Sequence, residues 1–276
     1  MKAFFRYDLR SSWNNRVDSP EALGVKFLGT LDALSHIDPV VFANWQLSDF
    51  RVMSFCPLQQ ARREITSLVQ RNVVLDDLRE PDPDCGYTMV ANVGKFKDPR
   101  SAAFWARAGG QHESETDLKF ADYDVAPDLT IVTYPLFKAA LLAINANWQP
   151  AWACAYAFRL DYNEAPLARG APLFPYSVFH IPWLGYLSAP LTDGLHLAAE
   201  ILTERTPDGG LLMSATHERL DPTNPEHLVR ARIIAETMMA CTGCPATDPE
   251  VFARKRRLED HLIATMGCYR PNSSLE

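Results

Sequence analysis

The sequence predicts an α+β fold, a single domain in which helices flank a mixed, largely antiparallel sheet. Apolar residues recur at helical spacing in several segments, whereas other segments alternate with the period of a strand. The turn Pro207-Asp208-Gly209-Gly210 joins two strand-like runs, as in a β-hairpin. The composition, with 47% hydrophobic and 22% charged residues among 276, is typical of a globular protein. No repeat or linker interrupts the chain, so we expect one domain over 1–274 and a cloning remnant at Leu275-Glu276.

Six segments are predicted to form the sheet. The alternation is clearest in 152–160, where Trp152, Cys154 and Tyr156 share one face and alanines occupy the other. The two arms of the hairpin are expected to be the central strands, with the aromatic run 179–188 packed beneath them. The predicted strands are 3–8, 87–93, 129–134, 152–160, 197–203 and 210–216.

Capping signals and apolar stripes predict the helices. Ser19 followed by Pro20, and Asn224 followed by Pro225, are typical helix starts. A short extra helix is expected from Asp38, and residues 99–110 fit either a short helix or a loop. The predicted helices are 20–36, 57–71, 136–147, 225–240 and 249–266.

Two acidic segments are the feature that points most directly to a partner. The formal net charge of -7 argues against general nucleic-acid binding and against anionic membranes, and it suits a basic protein partner. Both segments are predicted to be solvated loops, and we hypothesise that they dock on the basic, nucleic-acid-facing site of another protein. Trp105, Tyr123 and Tyr87 would be either interface anchors or core residues. The candidate partner-binding residues are Asp76, Asp77, Glu80, Asp82, Asp84, Glu113, Glu115, Asp117, Asp122 and Asp124.

The sequence carries no catalytic motif, so we predict no catalytic residue, no cofactor and no metal site. Glycine-rich nucleotide loops, the GxSxG elbow and the HExxH zinc motif are all absent. Cys241 and Cys244 form a lone CxxC at the predicted end of a helix, where neither zinc binding nor a reactive thiol is expected. An enzyme with a cleft near His180 stays an alternative. Its acid–base groups would come from His180, Asp193, Glu200 and His112.

The expected compartment is the cytoplasm. Residues Met1–Asp8 lack the apolar stretch of a signal peptide, and no run reaches the roughly 18 apolar residues of a membrane helix. The six cysteines do not form a dense disulfide pattern in a chain of this size. We therefore expect free thiols in a reducing environment.

Short motifs, in order along the chain, carry a family resemblance. They begin around the first predicted helix and return in the last third of the sequence. The motif residues are Ser11-Ser12-Trp13, Arg16, Leu28, Leu31, Leu34, Asp38-Pro39, Phe42, Trp45, Trp183-Leu184-Gly185-Tyr186-Leu187-Ser188, Gly209-Gly210-Leu211 and Asn224-Pro225-Glu226-His227-Leu228. In the order and spacing of these motifs, the sequence resembles the immunity protein 52 family of bacterial polymorphic toxin systems.

The resemblance implies an antidote rather than an enzyme, and it offers no catalytic residues to carry over. Such a protein would stay in the producing cell and bind a cognate secreted toxin tightly and stoichiometrically. The toxins of these systems leave by contact-dependent routes such as type VI secretion, and many carry a restriction-endonuclease-like nuclease domain. The implied partner is therefore the C-terminal nuclease domain of an effector, with no role for nucleic acid or membrane. An adaptor or chaperone of a secretion effector is the alternative.

Overall fold

Ten strands form one antiparallel sheet in the computed structural model, which describes residues 5–14, 16–49, 54–75, 80–95, 97–111, 114–121, 125–159, 181–195 and 197–243. The strands are β1 (Phe5–Trp13), β2 (Gln46–Asp49), β3 (Ser54–Pro57), β4 (Tyr87–Val93), β5 (Ala102–Ala108), β6 (Ser114–Phe120), β7 (Trp152–Arg159), β8 (Ile181–Leu187), β9 (Leu202–Arg205) and β10 (Leu211–Ser214). Their order across the sheet is β3-β2-β4-β5-β6-β1-β7-β8-β10-β9. The N-terminal strand β1 therefore lies near the centre of the sheet.

Within the described residues, four helices pack on this sheet: α1 (Pro20–Ile37), α2 (Leu58–Arg71), α3 (Tyr134–Trp148) and α4 (Pro225–Thr242). Three of them begin at a side-chain cap. Ser19 accepts a hydrogen bond from the Ala22 amide, and Thr133 and Asn224 cap α3 and α4 in the same way. Helix α1 lies between α2 and α3, and α4 packs separately on β8 and β10.

The helices occupy both faces of the sheet. Phe137 of α3 packs on Tyr7 of β1, with ring centroids 6.4 Å apart. Gly185 of β8 lies so close to α4 that a Cβ atom there would be 2.7 Å from the Met238 sulfur. The register of β1, β7 and β8 puts Gly185 on the face opposite to Tyr7. We call the face that carries Tyr7 and α3 the first face, and the face that carries α4 the second face.

The structure confirms the α+β class and the antiparallel sheet. Helices α1 to α4 match the predicted helices 20–36, 57–71, 136–147 and 225–240. Strands β4 and β7 match 87–93 and 152–160. The predicted helix 249–266 lies outside the described residues.

Three predictions about the strands are wrong in part or in full. Strands β9 and β10 do pair in antiparallel fashion around the predicted turn, but β9 is an exposed edge strand rather than a central one. The aromatic run is not packed beneath the sheet, because its residues 181–187 form β8 within it. The run 129–134 is not a strand: Asp128 accepts hydrogen bonds from the Thr130 amide and hydroxyl, and α3 then begins at Tyr134.

Two strands occur where the sequence predicts a loop or short helix. In β5 most inward positions are alanines, which favour helices and so hide the alternation. In β6, Glu115, Asp117 and Lys119 alternate with the buried Thr116 and Leu118, so this part of the segment predicted as a solvated loop is a strand inside the sheet. The segment predicted as a short helix from Asp38 forms turns, because the Asp38 carboxylate accepts from two amides just after it.

Candidate partner-binding surface

The first acidic segment ends in a tight turn immediately before β4. Residues Pro83–Cys85 form a short 3₁₀ turn, and the Asp82 carboxylate accepts from the Asp84 amide at 2.9 Å and from the Cys85 thiol at 3.2 Å. Asp82 thus stabilises the turn, whereas Glu80 and Asp84 are exposed. The turn holds Asp84 at the end of the sheet where β4 begins.

Backbone contacts bring this turn against the connection between β5 and β6. The Gln111 amide donates to the Asp84 carbonyl at 2.8 Å. A Cβ atom on Gly110 would lie 2.5 Å from that same carbonyl oxygen, so only glycine permits this approach. The end of the first acidic segment is therefore adjacent to the described part of the connection between β5 and β6.

An open groove of about 420 Å³ lies beside the turn. One wall is the chain that enters α1, and the other is the Asp84 turn with the start of β4. Two buried glycines at the end of β5 line it between these walls. The lining residues are Val17, Asp18, Ser19, Pro20, Pro83, Asp84, Tyr87, Gly109, Gly110 and Gln111. We call this site the Val17 groove.

The acids of β6 lie in a different environment, on the second face of the sheet. Arg10 of β1 donates from Nε to Glu115 at 3.1 Å and lies 3.9 Å from Asp117, which is also 3.9 Å from the Lys119 ammonium. Burial raises the pKa of Asp117 although Arg10 and Lys119 act to lower it. Burial alone would lower the pKa of Arg10, but the carboxylates of Asp117 and Glu115 raise it. These acids are therefore largely neutralised by cations within the protein.

A second ion pair continues this network along β1. The Asp8 carboxylate lies 2.7 Å from the Arg6 guanidinium, and both side chains are buried. Burial raises the pKa of Asp8 to about 6, despite the opposing effect of Arg6. One oxygen of Asp8 and one of Asp117 have no hydrogen-bond partner within the described part of the protein. The centre of the second face is thus a buried to half-buried ionic network rather than an exposed acidic surface.

Residues 6–243 match the sequence model of the family described as Immunity protein 52. The chain belongs to the immunity protein 52 family. One solved structure, the Pseudomonas aeruginosa T6SS protein PA0821, has a similar fold, with a TM-score of 0.50 and 13% sequence identity. The similarity covers 85% of this chain and 73% of that chain. A comparison with curated proteins gave no match.

The family match confirms the resemblance and assigns this protein an immunity role, whose partner is a cognate toxin. In this immunity protein, two of the predicted contact residues, Asp82 and Asp84, lie at the turn before β4, and a third, Glu80, is exposed. Two more, Glu115 and Asp117, belong to the ionic network. Contact of any of them with the toxin stays a prediction. Asp76, Asp77, Glu113, Asp122 and Asp124 lie outside the described residues.

The three aromatic residues considered as interface anchors also lie in different places. Tyr87 lines the Val17 groove and is half-buried. Trp105 is also half-buried and lies on the second face, in register with Asp117. Tyr123 lies outside the described residues.

The groups of the alternative enzyme hypothesis are not brought together by the described residues. Asp193 and Glu200 are exposed on the chain between β8 and β9, and His112 and His180 lie outside the described residues. Within the described part of the chain, no cluster of three or more potential metal ligands occurs. None of the described helices has both the length and the apolar character needed to span a bilayer.

Of the two cysteines of the CxxC motif, only Cys241 lies within the described residues. Cys241 lies in the last turn of α4, which ends at a left-handed Gly243, and Cys244 lies outside the described residues. Burial raises the pKa of the Cys241 thiol, which lowers its reactivity. The position of Cys241 matches the predicted helix end.

Sequence reasoning missed the basic half of the ionic network. Arg6, Asp8 and Arg10 alternate with Tyr7 and Leu9 in β1, and this alternation was the available signal. A strand with charges on one face and apolar residues on the other would normally be half-exposed. The burial of Arg6 and Asp8, which are 4% and 0% exposed, shows that these charges need partners.

Proposed function

We propose that this immunity protein neutralises a cognate secreted antibacterial toxin, a nuclease delivered by type VI secretion, in the cytoplasm of the producing cell. It binds the nuclease domain stoichiometrically and tightly, and so blocks the active site or the active assembly of the toxin. The observation that carries this proposal is the family match over residues 6–243. The similarity in fold to a T6SS protein of Pseudomonas aeruginosa favours the secretion route.

The distribution of charge favours a nuclease as the target. A nuclease must hold phosphates, so its active site is basic, and an acidic inhibitor surface complements it. The chain has a net charge of -7, and Glu80 and Asp84 of the first acidic segment are exposed. The acids of β6 contribute less, because Arg10 and Lys119 balance them.

Co-expression with the toxin encoded next to this gene tests the proposal. We expect the protein to restore survival of the host and to co-purify with the toxin domain as a stable complex. Purified toxin domain should cleave DNA, and one equivalent of the immunity protein should stop the cleavage. Failure of both rescue and co-purification would contradict an immunity role for that toxin. Co-purification of a spike or baseplate protein instead would support an adaptor.

A pair of charge variants tests the acidic surface separately. We expect Glu80→Gln with Asp84→Asn to slow association with the toxin and to weaken its dependence on ionic strength, because electrostatic steering is lost. The matched control is Asp193→Asn with Glu200→Gln, which removes the same charge from other exposed positions. Stopped-flow association rates at low and physiological ionic strength give the comparison. Equal effects of the two double variants would contradict a specific role for the first acidic segment.

A further inference from the structure

The Val17 groove combines an apolar wall with one exposed carboxylate. From this combination we infer that it receives a protruding lysine or arginine side chain of the cognate toxin. This inference rests on the proposed function and gives one contact of the complex. The side chain would lie with its aliphatic part against Val17 and Tyr87 and its cationic end at Asp84. Each of these residues lines the same groove.

The apolar wall suits the aliphatic part of such a side chain. Val17 is 74% exposed, so its side chain is available to a partner, and Pro20 and Pro83 add further apolar surface to the lining of the groove. The half-buried ring of Tyr87 adds an aromatic surface. Lysine and arginine commonly pack their methylene groups on apolar surface while the charged end reaches a polar group, and a guanidinium also stacks on aromatic rings.

Among the described residues that line the groove, one acid is available at its polar end. Asp84 is exposed, and its carboxylate forms no ion pair with a described residue. The other acid of the lining, Asp18, is already bound by Arg16 at 3.1 Å and by Lys26 at 2.7 Å. The N-terminus of α1 borders the groove, but Ser19 caps it and Glu21 lies in its first turn, so its positive end is balanced. The charge therefore favours a cation.

The groove is held in shape by the backbone. The Asp84 amide is bonded to Asp82 and its carbonyl to Gln111, so the carboxylate is presented from a fixed turn. Gly109 has a φ of +87°, and a Cβ there would lie 2.7 Å from Leu23, so this part of the lining cannot carry a larger residue without rearrangement. A preformed groove of about 420 Å³ binds with little ordering cost.

Matched arginine substitutions test the inference. Val17→Arg places a like charge where the toxin's cation would lie, and Val25→Arg and Val40→Arg make the same change at positions of 70% and 72% exposure. We expect Val17→Arg to raise the Kd for catalytically inactivated toxin domain at least about tenfold, and the controls less than about threefold. Asp84→Lys, compared with Asp193→Lys, should behave in the same way. Isothermal titration calorimetry gives the Kd, and thermal melting checks that each variant is folded.

The outcomes separate this inference from the proposed function. If the unsubstituted protein binds the toxin and Val17→Arg binds as well as Val25→Arg and Val40→Arg, the groove is not a contact site and the inference fails alone. If the unsubstituted protein does not bind the toxin, the proposed function fails and the inference fails with it. Restoration of Asp84→Lys binding by a lysine- or arginine-to-glutamate change in the toxin would identify the partner side chain.

Discussion

Asp8 and Arg6 lie two residues apart on β1 and form an ion pair of 2.7 Å in which neither side chain is more than 4% exposed. Arg6 is close enough to favour the charged form of Asp8, and so is the nearby Lys119. The loss of water around the carboxylate outweighs both, with a further contribution from Asp117. The pKa of Asp8 is therefore raised from 3.8 to about 6. A buried pair of this kind makes the stability of the protein depend on pH.

Asp8→Asn should remove the contribution of Asp8 to this dependence. A raised pKa means that the folded state binds the proton more tightly than the unfolded state. The stabilisation is therefore complete below the unfolded pKa near 3.8 and is lost as pH rises through about 6. The loss amounts to about 3 kcal/mol at most. We expect the variant to gain stability relative to the unsubstituted protein between pH 4 and 7, as measured by urea unfolding at several pH values.

The variant must be compared with the unsubstituted protein, because other carboxylates also make stability depend on pH. Hydrogen bonds lower the pKa of Asp208 and Asp221 in spite of burial, so these groups lose stabilisation as pH falls. Their effect opposes that of Asp8 in the unsubstituted protein, but it cancels in the difference between the two proteins. Parallel stability curves for the variant and the unsubstituted protein would show that Asp8 titrates normally.

Gly185 determines how closely α4 approaches the sheet. A Cβ atom at this position would lie 2.7 Å from both Ile234 and Met238. We expect Gly185→Ala to destabilise the protein by about 1–3 kcal/mol, because a packed helix must shift to admit a methyl group. Urea unfolding gives the free energy change.

Met238→Ala provides the control for this prediction. Alone it should destabilise the protein by creating a cavity, but it also makes room for the new methyl group. The double variant should therefore be more stable than the sum of the single effects predicts, by about 1 kcal/mol. Additive effects would mean that Gly185 and Met238 do not compete for the same space.

The fold is predictable where a segment carries clear capping residues or a clear helical or strand spacing of its apolar residues. Helices α1 and α4 carry capping residues and are identified almost to the residue. Strand β7 is identified because large residues alternate with alanine. Strands β2 and β3 are only four residues long, which is too short for a period to emerge.

The site was harder to predict than the fold, because it depends on contacts between distant segments. The sequence shows that Asp84 and Glu115 belong to two acidic segments, but not that Arg10 neutralises Glu115 across the sheet. It also gives no sign that Val17 and Asp84 line one groove. Such contacts follow from strand order, which local patterns do not determine.

A buried hydrogen bond connects α1 and α3 on the first face. The Trp148 indole donates from Nε1 to the Thr30 hydroxyl at 2.9 Å, and that hydroxyl donates to the Lys26 carbonyl. Thr30→Val keeps the shape but leaves the indole N–H without an acceptor. We expect a loss of about 1–3 kcal/mol in unfolding free energy. Thr66→Val, a half-buried position on α2, controls for the cost of valine in a helix, and an equal loss there would contradict the assignment.

Arg10 is a cation that balances the acids of β6, and its removal should lower the stability of the protein. Arg10→Met keeps the aliphatic part of the side chain and leaves Glu115 and the buried Asp117 without it. Because Arg10 is 28% exposed, we expect a loss of about 2 kcal/mol, less than the roughly 3–5 kcal/mol for breaking a fully buried pair.

Arg100→Met is the matched control, because the Arg100–Asp128 pair is more exposed, at 52% and 27%. That change should cost much less stability than Arg10→Met, because an exposed ion pair is screened by water and salt. Lowering the pH should reduce the difference between the two variants, since burial already raises the pKa of Asp117 and protonation removes its need for a cation. Chemical unfolding at pH 5 and pH 7 measures both effects. Equal losses at both positions and both pH values would mean that Arg10 acts as a surface charge and that the β6 acids are free to face the toxin.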